Sequence, residues 1–343
     1  MSAGAAGMSY DAAITVRACA PADEPAVLEL LQAAFGRWPR GVEGVRPEQF
    51  FRWKHSESPF GRSALLVAEA DGAAVGFLAL MPWRLRFGEH VHTTTRGVDL
   101  VVDPAAQRRG ISMRLIAAAR KGYDSEIVMG WSNPNERSRV GVLKSGRRRV
   151  DGIPRFVGAG AVTWAGVKRL ALHGGVEPAH AGRAAHDAAA VLADESMLRA
   201  VLGRAGAGPD RIETARSTEF LRWRYGRPGA YRALVAEDRD GRPALAIFQT
   251  QRRGLLRTAH VVELLVARDD VKLARRLTRG VRRAANADFV ACAFASPRTA
   301  LHCGFVPAPG AAMIAANPLR DGLQPDPTLP GSWALSLGDL ELI

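Results

Sequence analysis

Apolar positions along the chain recur with two alternating periods. ITVRA (14–18) is a short run of strand type, and PADEPAVLELLQAAF (21–35) then places Val27, Leu30, Leu31 and Phe35 at three- and four-residue spacing. That stripe predicts an amphipathic helix opened by acidic residues and Pro25. ALLVAEADGAAVGFLAL (64–80) predicts a hairpin, because Asp71-Gly72 tolerates the positive φ angles that a tight, twist-matched turn requires. A strand (TTTRGVDLVV, 93–102), a helix (110–122), a strand (EIVMGWS, 126–132) and a helix (135–146) follow. Alternation of this kind predicts an α/β (α+β) fold with a mixed sheet.

The same order returns later in the chain, and an internal repeat changes the whole reading. Phe50, Arg52 and Trp53 match Phe220, Arg222 and Trp223, and Glu69 with Asp71-Gly72 matches Glu237 with Asp240-Gly241. GVDLVV (97–102) matches VVELLV (261–266), which sets Asp99 opposite Glu263, and Gly146 and Gly304 each close a short helix. The expectation is two copies of one unit of about 150 residues. Residues 1–156 form the first, 157–210 an Ala/Gly-rich linker with the start of the second copy, and 211–343 the second. Recurrence of the Arg-Trp pair in both copies favours a structural role over stacking on nucleic-acid bases. The tail WALSLGDLELI (333–343) reads as a final strand, from which Asp339 or the terminal carboxylate would reach an acceptor site.

Composition narrows the class. The 343 residues carry a net charge of +13, but only five of the 47 basic residues are lysines. Such an arginine bias beside abundant Ala and Gly is what GC-rich coding produces, so charge is informative only where it concentrates. It does so from Gln107 to Arg149, where eleven basic residues face three acidic ones. The longest uncharged run, between Arg298 and Arg320, is broken by Pro307, Pro309 and Pro318 and predicts no membrane span. The N-terminus lacks the charged and apolar regions of a secretory signal, so a cytoplasmic location is expected. Cys19, Cys292 and Cys303 form no C-x-x-C pair, and the histidines have no metal-ligand spacing, so neither a disulfide framework nor a metal is expected.

The basic stretch holds the most informative turn, LVVDPAAQRRGISMRLI (100–116). A strand ends at Asp103-Pro104, and a turn through Gln107, Arg108, Arg109, Gly110, Ile111 and Ser112 opens a helix. Free amides at a helix start, the helix dipole and two guanidiniums would converge on one anion there. Gly110 lets backbone approach a ligand closely, and the small Ser112 keeps the first turn open. Leu100, Val102, Pro104, Gln107, Gly110 and Ser112 together resemble the signature of the GNAT superfamily, acetyl-CoA-dependent N-acetyltransferases. The resemblance spans about residues 14–150 and implies two tandem GNAT-like units, each a mixed, mostly antiparallel sheet flanked by helices. It implies that Leu100, Val101 and Val102, with the amides of 107–112, bind the pantetheine arm and pyrophosphate of acetyl-CoA or another acyl-CoA. The thioester would lodge in a splay after Val102, and Asn135 would bond the pantetheine. In the second copy Asp269-Asp270 stand where the pyrophosphate would sit, so that copy is expected not to bind the cofactor.

Acylating an amine requires removal of a proton from an ammonium. Asp99, within an apolar strand, is the first candidate base, with a pKa expected to be raised by desolvation. Glu69, at the end of a hairpin strand, is the second. The superfamily's usual tyrosine acid would fall at position 142, which is Val142; Tyr123 is the nearest alternative. The expected activity is acetyl transfer from acetyl-CoA to a primary amine by direct attack, with no membrane or nucleic-acid partner. Alternatives are a non-catalytic acyl-CoA sensor or scaffold, and an aminoacyl-tRNA-dependent transferase of related fold.

Overall fold

The computed structural model describes residues 13–39, 44–153, 155–159, 176–178, 185–254, 256–268, 270–308 and 312–340. The first half runs β1 (Thr15–Ala18), α1 (Glu24–Phe35), α2 (Pro47–Ser56), β2 (Ala64–Ala70), β3 (Ala73–Phe87) and β4 (His90–Val102). It continues through α3 (Ile111–Lys121), β5 (Met129–Ser132), α4 (Glu136–Lys144), β6 (Arg148–Ile153) and β7 (Arg155–Ala159). The short β8 (Val176–Pro178) and β9 (His186–Asp187) lead to α5 (Ala188–Leu192), α6 (Glu195–Leu202), β10 (Ile212–Thr214) and α7 (Thr218–Tyr225). The remainder is β11 (Arg232–Glu237), β12 (Pro243–Arg253), β13 (Leu256–Leu265), α8 (Val271–Ala285), β14 (Phe289–Ala293), α9 (Pro297–His302), β15 (Val306–Pro307) and β16 (Ala312–Pro318). The β2–β3 hairpin turns where expected, with positive φ at both Asp71 and Gly72.

These strands form two mixed sheets of the same design, as the repeat predicts. The first has the order β1-β2-β3-β4-β5-β16-β6, and the second β9-β11-β12-β13-β14-β7-β15. In each, one central pair is parallel, β4 with β5 and β13 with β14. The sixth position of each sheet is filled by a strand from the other half of the chain. β16 lies between β5 and β6, and β7 lies between β14 and β15. Consecutive strands β6 and β7 therefore belong to different sheets, and β10 adds to the edge of β3. The boundary expected at residue 156 thus falls inside β7, and 211–343 contains two strands of the first sheet, β10 and β16. The sequence did not reveal this because β7 and β16 read as apolar strands whichever sheet they join.

The exchange follows an approximate two-fold relation between the halves. Trp53 and Trp223 stack on each other with ring centroids 5.0 Å apart and planes 19° apart. Each indole N–H donates to the other residue's backbone carbonyl, at 2.9 and 3.1 Å. The tryptophan of the repeated Arg-Trp pair is therefore what joins the units there. Over its described residues, 333–340, the tail does not form the expected strand. Trp333, Leu335, Leu337 and Leu340 are all buried, and the alternation that suggested a strand instead seats the tail in the seam. Asp339 is fully buried and bonds Thr214 and Arg216, at 2.8 and 2.9 Å. It points into this seam rather than an acceptor site; the terminal carboxylate lies outside the described residues.

Candidate active site

The β4–β5 ladder pairs Thr94 with Met129, Thr95 with Gly130 and Arg96 with Trp131, and ends there. Beyond it the strands part, so the splay opens after Arg96, earlier than the position after Val102 that the sequence suggested. A bulge in β4 causes the change. Three steps from Val98 to Val101 oppose two from Ala79 to Phe77, and Asp99 sits at φ 52°. A bulged, left-handed residue re-aims the strand and its side chain. The splay opens onto a cavity of about 1230 Å³ whose wall includes Gly97–Leu100, Ser132–Asn135, and Trp223 and Arg227 of the second unit.

Asp99 lines this cavity as a paired, ionised carboxylate. Its carboxylate bonds Lys54 Nζ at 2.9 Å and His55 Nε2 at 3.2 Å, and His55 Nδ1 in turn meets Ser63 Oγ at 3.1 Å. Burial pushes the Asp99 carboxyl up, but the Lys54 charge and the His55 hydrogen bond outweigh it and hold it well below the usual carboxylate range. This reverses the raised pKa expected from an apolar strand. The sequence could not reveal the reversal, since Lys54 and His55 come from α2. Arg96, a possible partner by proximity, instead lies between Trp83 and Trp131 and donates to Asn133 Oδ1 at 2.6 Å. Glu69 is not brought to the cavity. It pairs with Arg17 at 2.7 Å on the sheet edge, beside the Arg17–Asp23 pair, and is thereby corrected from candidate base to surface ion pair.

The turn leading to α3 has the shape anion capture demands. Arg108 and Gly110 both adopt positive φ, at 67° and 73°. Gly110 is the helix N-cap, and no side chain caps the first turn. The opening amides of a helix have no intrahelical acceptor and present partial positive charge. Gln107, Arg108 and Gly110 are exposed, with Arg109 and Ser112 half-buried. Ile111 differs from its neighbours. Its side chain is buried under α3 against Gly76, where an added Cβ would come within 2.8 Å, so only its backbone faces outward. Val101 is likewise buried in the core, Val102 packs partly buried against the apolar cluster under α3, and Leu100 lines the cavity.

Asn135 caps α4, accepting from Ser138 N at 3.0 Å, while also lining the cavity. Tyr123 is turned away, its hydroxyl packed where a side chain at Gly130 would stand. Val142 lines the cavity at the place a tyrosine acid would occupy. Tyr231, from the second unit, is the only tyrosine among the described lining residues. Sequence reasoning missed it, as it missed Arg227, because only the joint between the units brings them here. Among the described residues no cluster of three metal-ligating side chains occurs, and no helix is long and apolar enough to cross a membrane.

The second unit is built differently at the equivalent places. Helix α8 is capped by Asp270, whose carboxylate accepts from Leu273 N at 2.9 Å. Its amides are thus already engaged by the chain's own anion. The tail enters the splay beside Glu263, and a smaller cavity of about 530 Å³ remains between Leu264–Val266 and Ala293–Ser296. Ser336 Oγ donates to Glu263 Oε1 at 3.0 Å, and Gly338 N to Val262 O at 3.1 Å.

Comparison with known proteins agrees with this geometry. Residues 15–134 match the family model described as an acetyltransferase (GNAT) domain. No curated protein matches the chain at a significant level. Among solved structures, a GCN5-related N-acetyltransferase from Kribbella flavida is similar with a TM-score of 0.58 at 15% identity, over 90% of this chain and 71% of that one. A probable N-acyltransferase of unknown function from Enterococcus faecalis V583 gives 0.59 at 12% identity, over 89% and 72%. A GCN5-related N-acetyltransferase from Anabaena variabilis gives 0.59 at 10%, over 90% and 73%. At these identities the likeness concerns the fold.

Proposed function

We propose that the chain, whose residues 15–134 match the model of an acetyltransferase (GNAT) domain, belongs to that superfamily and is an acyl-CoA-dependent N-acyltransferase acting on a primary amine. The observation that carries this reading is the conjunction of an uncapped α3 N-terminus with a bulged, open β4–β5 splay in the same unit. A thioester arm needs an extended slot with unpaired strand amides, and its pyrophosphate needs free helix amides. The first unit offers both, whereas in the second Asp270 caps the helix and the tail bonds into a smaller splay.

In this reading the amides of 107–112 and the guanidiniums of Arg108 and Arg109 hold the pyrophosphate. The unpaired edges of β4 and β5 align the arm, and the thioester carbonyl lies beside the bulge. The amine enters from the α2 side, past Trp53 and Trp223. The ammonium first gives a proton to water; the free amine nitrogen then attacks the thioester carbon, a C–N bond forms and the C–S bond breaks, and a second nitrogen proton leaves to water while the thiolate departs. Asp99, held ionised by Lys54 and His55, attracts the incoming ammonium instead of deprotonating it. Tyr231 stands where a hydroxyl can steer the amine.

A calorimetric titration with acetyl-CoA should give one site per chain, unaffected by Asp270→Gly. A screen of amines for thiol release should then find turnover. Absence of acyl-CoA binding would sink the reading. Binding without turnover on any amine would favour the sensor alternative. Salt-sensitive tRNA binding in place of CoA binding would favour the aminoacyl-tRNA alternative.

A further inference from the structure

Among the described residues, a buried cation at the closed end of the splay has no carboxylate paired with it. Arg147 follows Gly146 at the start of β6 and is 8% exposed, yet it lines the cavity. Its guanidinium donates to two hydroxyls, Ser132 Oγ and Tyr123 Oη, both at 3.3 Å. Burial disfavours its charge, Tyr123 supports it, and Arg120 adds a like charge nearby. Lys54, across the cavity, is neutralised by Asp99, so the two cations differ in kind.

The position of Arg147 is specific. Gly97 and Ser132 are the first residues past the last β4–β5 pair, and the guanidinium stands beside both. A Cβ on Gly97 would meet Arg147 Nη2 at 3.7 Å and Ser132 Cβ at 3.9 Å. Because residue 97 has no side chain, the path between the parted strands and the guanidinium is not blocked from that side. A planar fork of donors in a low-dielectric recess is suited to a carboxylate, which would supply the missing counter-charge.

We propose that Arg147 receives a carboxylate at the far end of the transferred acyl group, so that the donor is a dicarboxylic acyl-CoA. The inference rests on the acyl-CoA reading above and specifies its donor. An acyl group that enters the splay ahead of its thioester from the α3 side extends its far end toward the point where the strands pair. A short chain ending in a carboxylate therefore meets Arg147, and a neutral chain of equal length leaves the guanidinium uncompensated.

The test compares succinyl-CoA, butyryl-CoA and acetyl-CoA by calorimetry on the whole chain and by thiol release with one amine. The wild type should bind succinyl-CoA at least 10-fold more tightly than butyryl-CoA. Arg147→Gln should abolish that preference while changing acetyl-CoA affinity less than 3-fold. Equal wild-type affinities for succinyl- and butyryl-CoA would overturn the proposal, and this arm needs no variant to fold. An equal loss for all three donors in Arg147→Gln would also overturn it, by assigning the residue to the CoA moiety or to the fold. So would an Arg147-dependent preference confined to amine acceptors that carry a carboxylate, which would move the anion to the acceptor. If no acyl-CoA binds at all, the underlying functional reading fails first. If acetyl-CoA binds without any advantage for succinyl-CoA, only the donor assignment fails.

Discussion

Gly110→Asp should weaken acyl-CoA binding by at least about 100-fold, roughly 2.8 kcal/mol, with little change in stability. The substitution is sterically benign, because an added Cβ at Gly110 meets nothing within 4 Å. Aspartate is also among the few side chains that tolerate the left-handed φ of 73° at this position. What changes is the field. A carboxylate at the N-cap accepts from the helix amides, as Asp270 does on α8, and places a negative charge where the pyrophosphate would sit. Capping would offset the conformational strain, so thermal stability should hold or rise slightly. Gly110→Asn separates the charge from the side chain and should lose only about 10-fold, since it caps without repelling. Affinities are read by calorimetry at a fixed ionic strength. An Asp variant that binds acyl-CoA as the wild type does would remove α3 from the site.

Asp99→Asn should destabilise the fold by about 3 kcal/mol at neutral pH, the lower end expected for breaking a buried pair. The loss arises because Lys54, only 5% exposed, is left without its anion. Lys54 also borders the cavity, and partial rehydration there keeps the cost from being larger. The pH dependence has a definite sign. The folded pKa of Asp99 lies below its unfolded value of about 3.9, so its contribution is complete above that pH and is lost as pH falls toward the folded value. The difference in urea midpoint between wild type and Asp99→Asn should therefore be constant from neutral pH to about pH 5 and shrink below about pH 4. The double variant Lys54→Met, Asp99→Asn should recover most of the stability. Catalysis responds separately: weaker attraction of an ammonium raises KM for the amine with a smaller effect on kcat. A collapse of kcat alone would return Asp99 to the role of base.

Much of the unit was legible in the sequence because local rules decided it. The Asp71-Gly72 turn, the stripe on α1 and the Gln107–Ser112 turn each depend on residues within one or two elements of each other. The repeat, being a comparison of the chain with itself, needed no three-dimensional information. What escaped reading was long-range. Nothing near Asp99 in sequence announces that α2 will bring Lys54 and His55 to it. The Glu69 carboxylate reads alike whether it meets a substrate or Arg17. Val142 was readable as the absence of a tyrosine, whereas Tyr231 enters the wall from the other half of the chain. Arg147 was visible only as one more positive charge in a basic stretch; its isolation from the described carboxylates is a property of the folded recess.

The crossed placement of β7 and β16 makes the two halves obligate partners. A peptide ending between residues 160 and 175 would keep β7, which its own sheet cannot use, and would have a gap between β5 and β6. The complementary peptide would hold β16 in surplus and have a gap between β14 and β15. Each fragment alone should aggregate through its open strand edges, while refolding the two together should restore a soluble one-to-one complex that binds acyl-CoA. A chain organised this way behaves as a subunit pair whose swapped arms have been sewn into one polypeptide, and neither half can be lost or replaced without dismantling the sheet of the other.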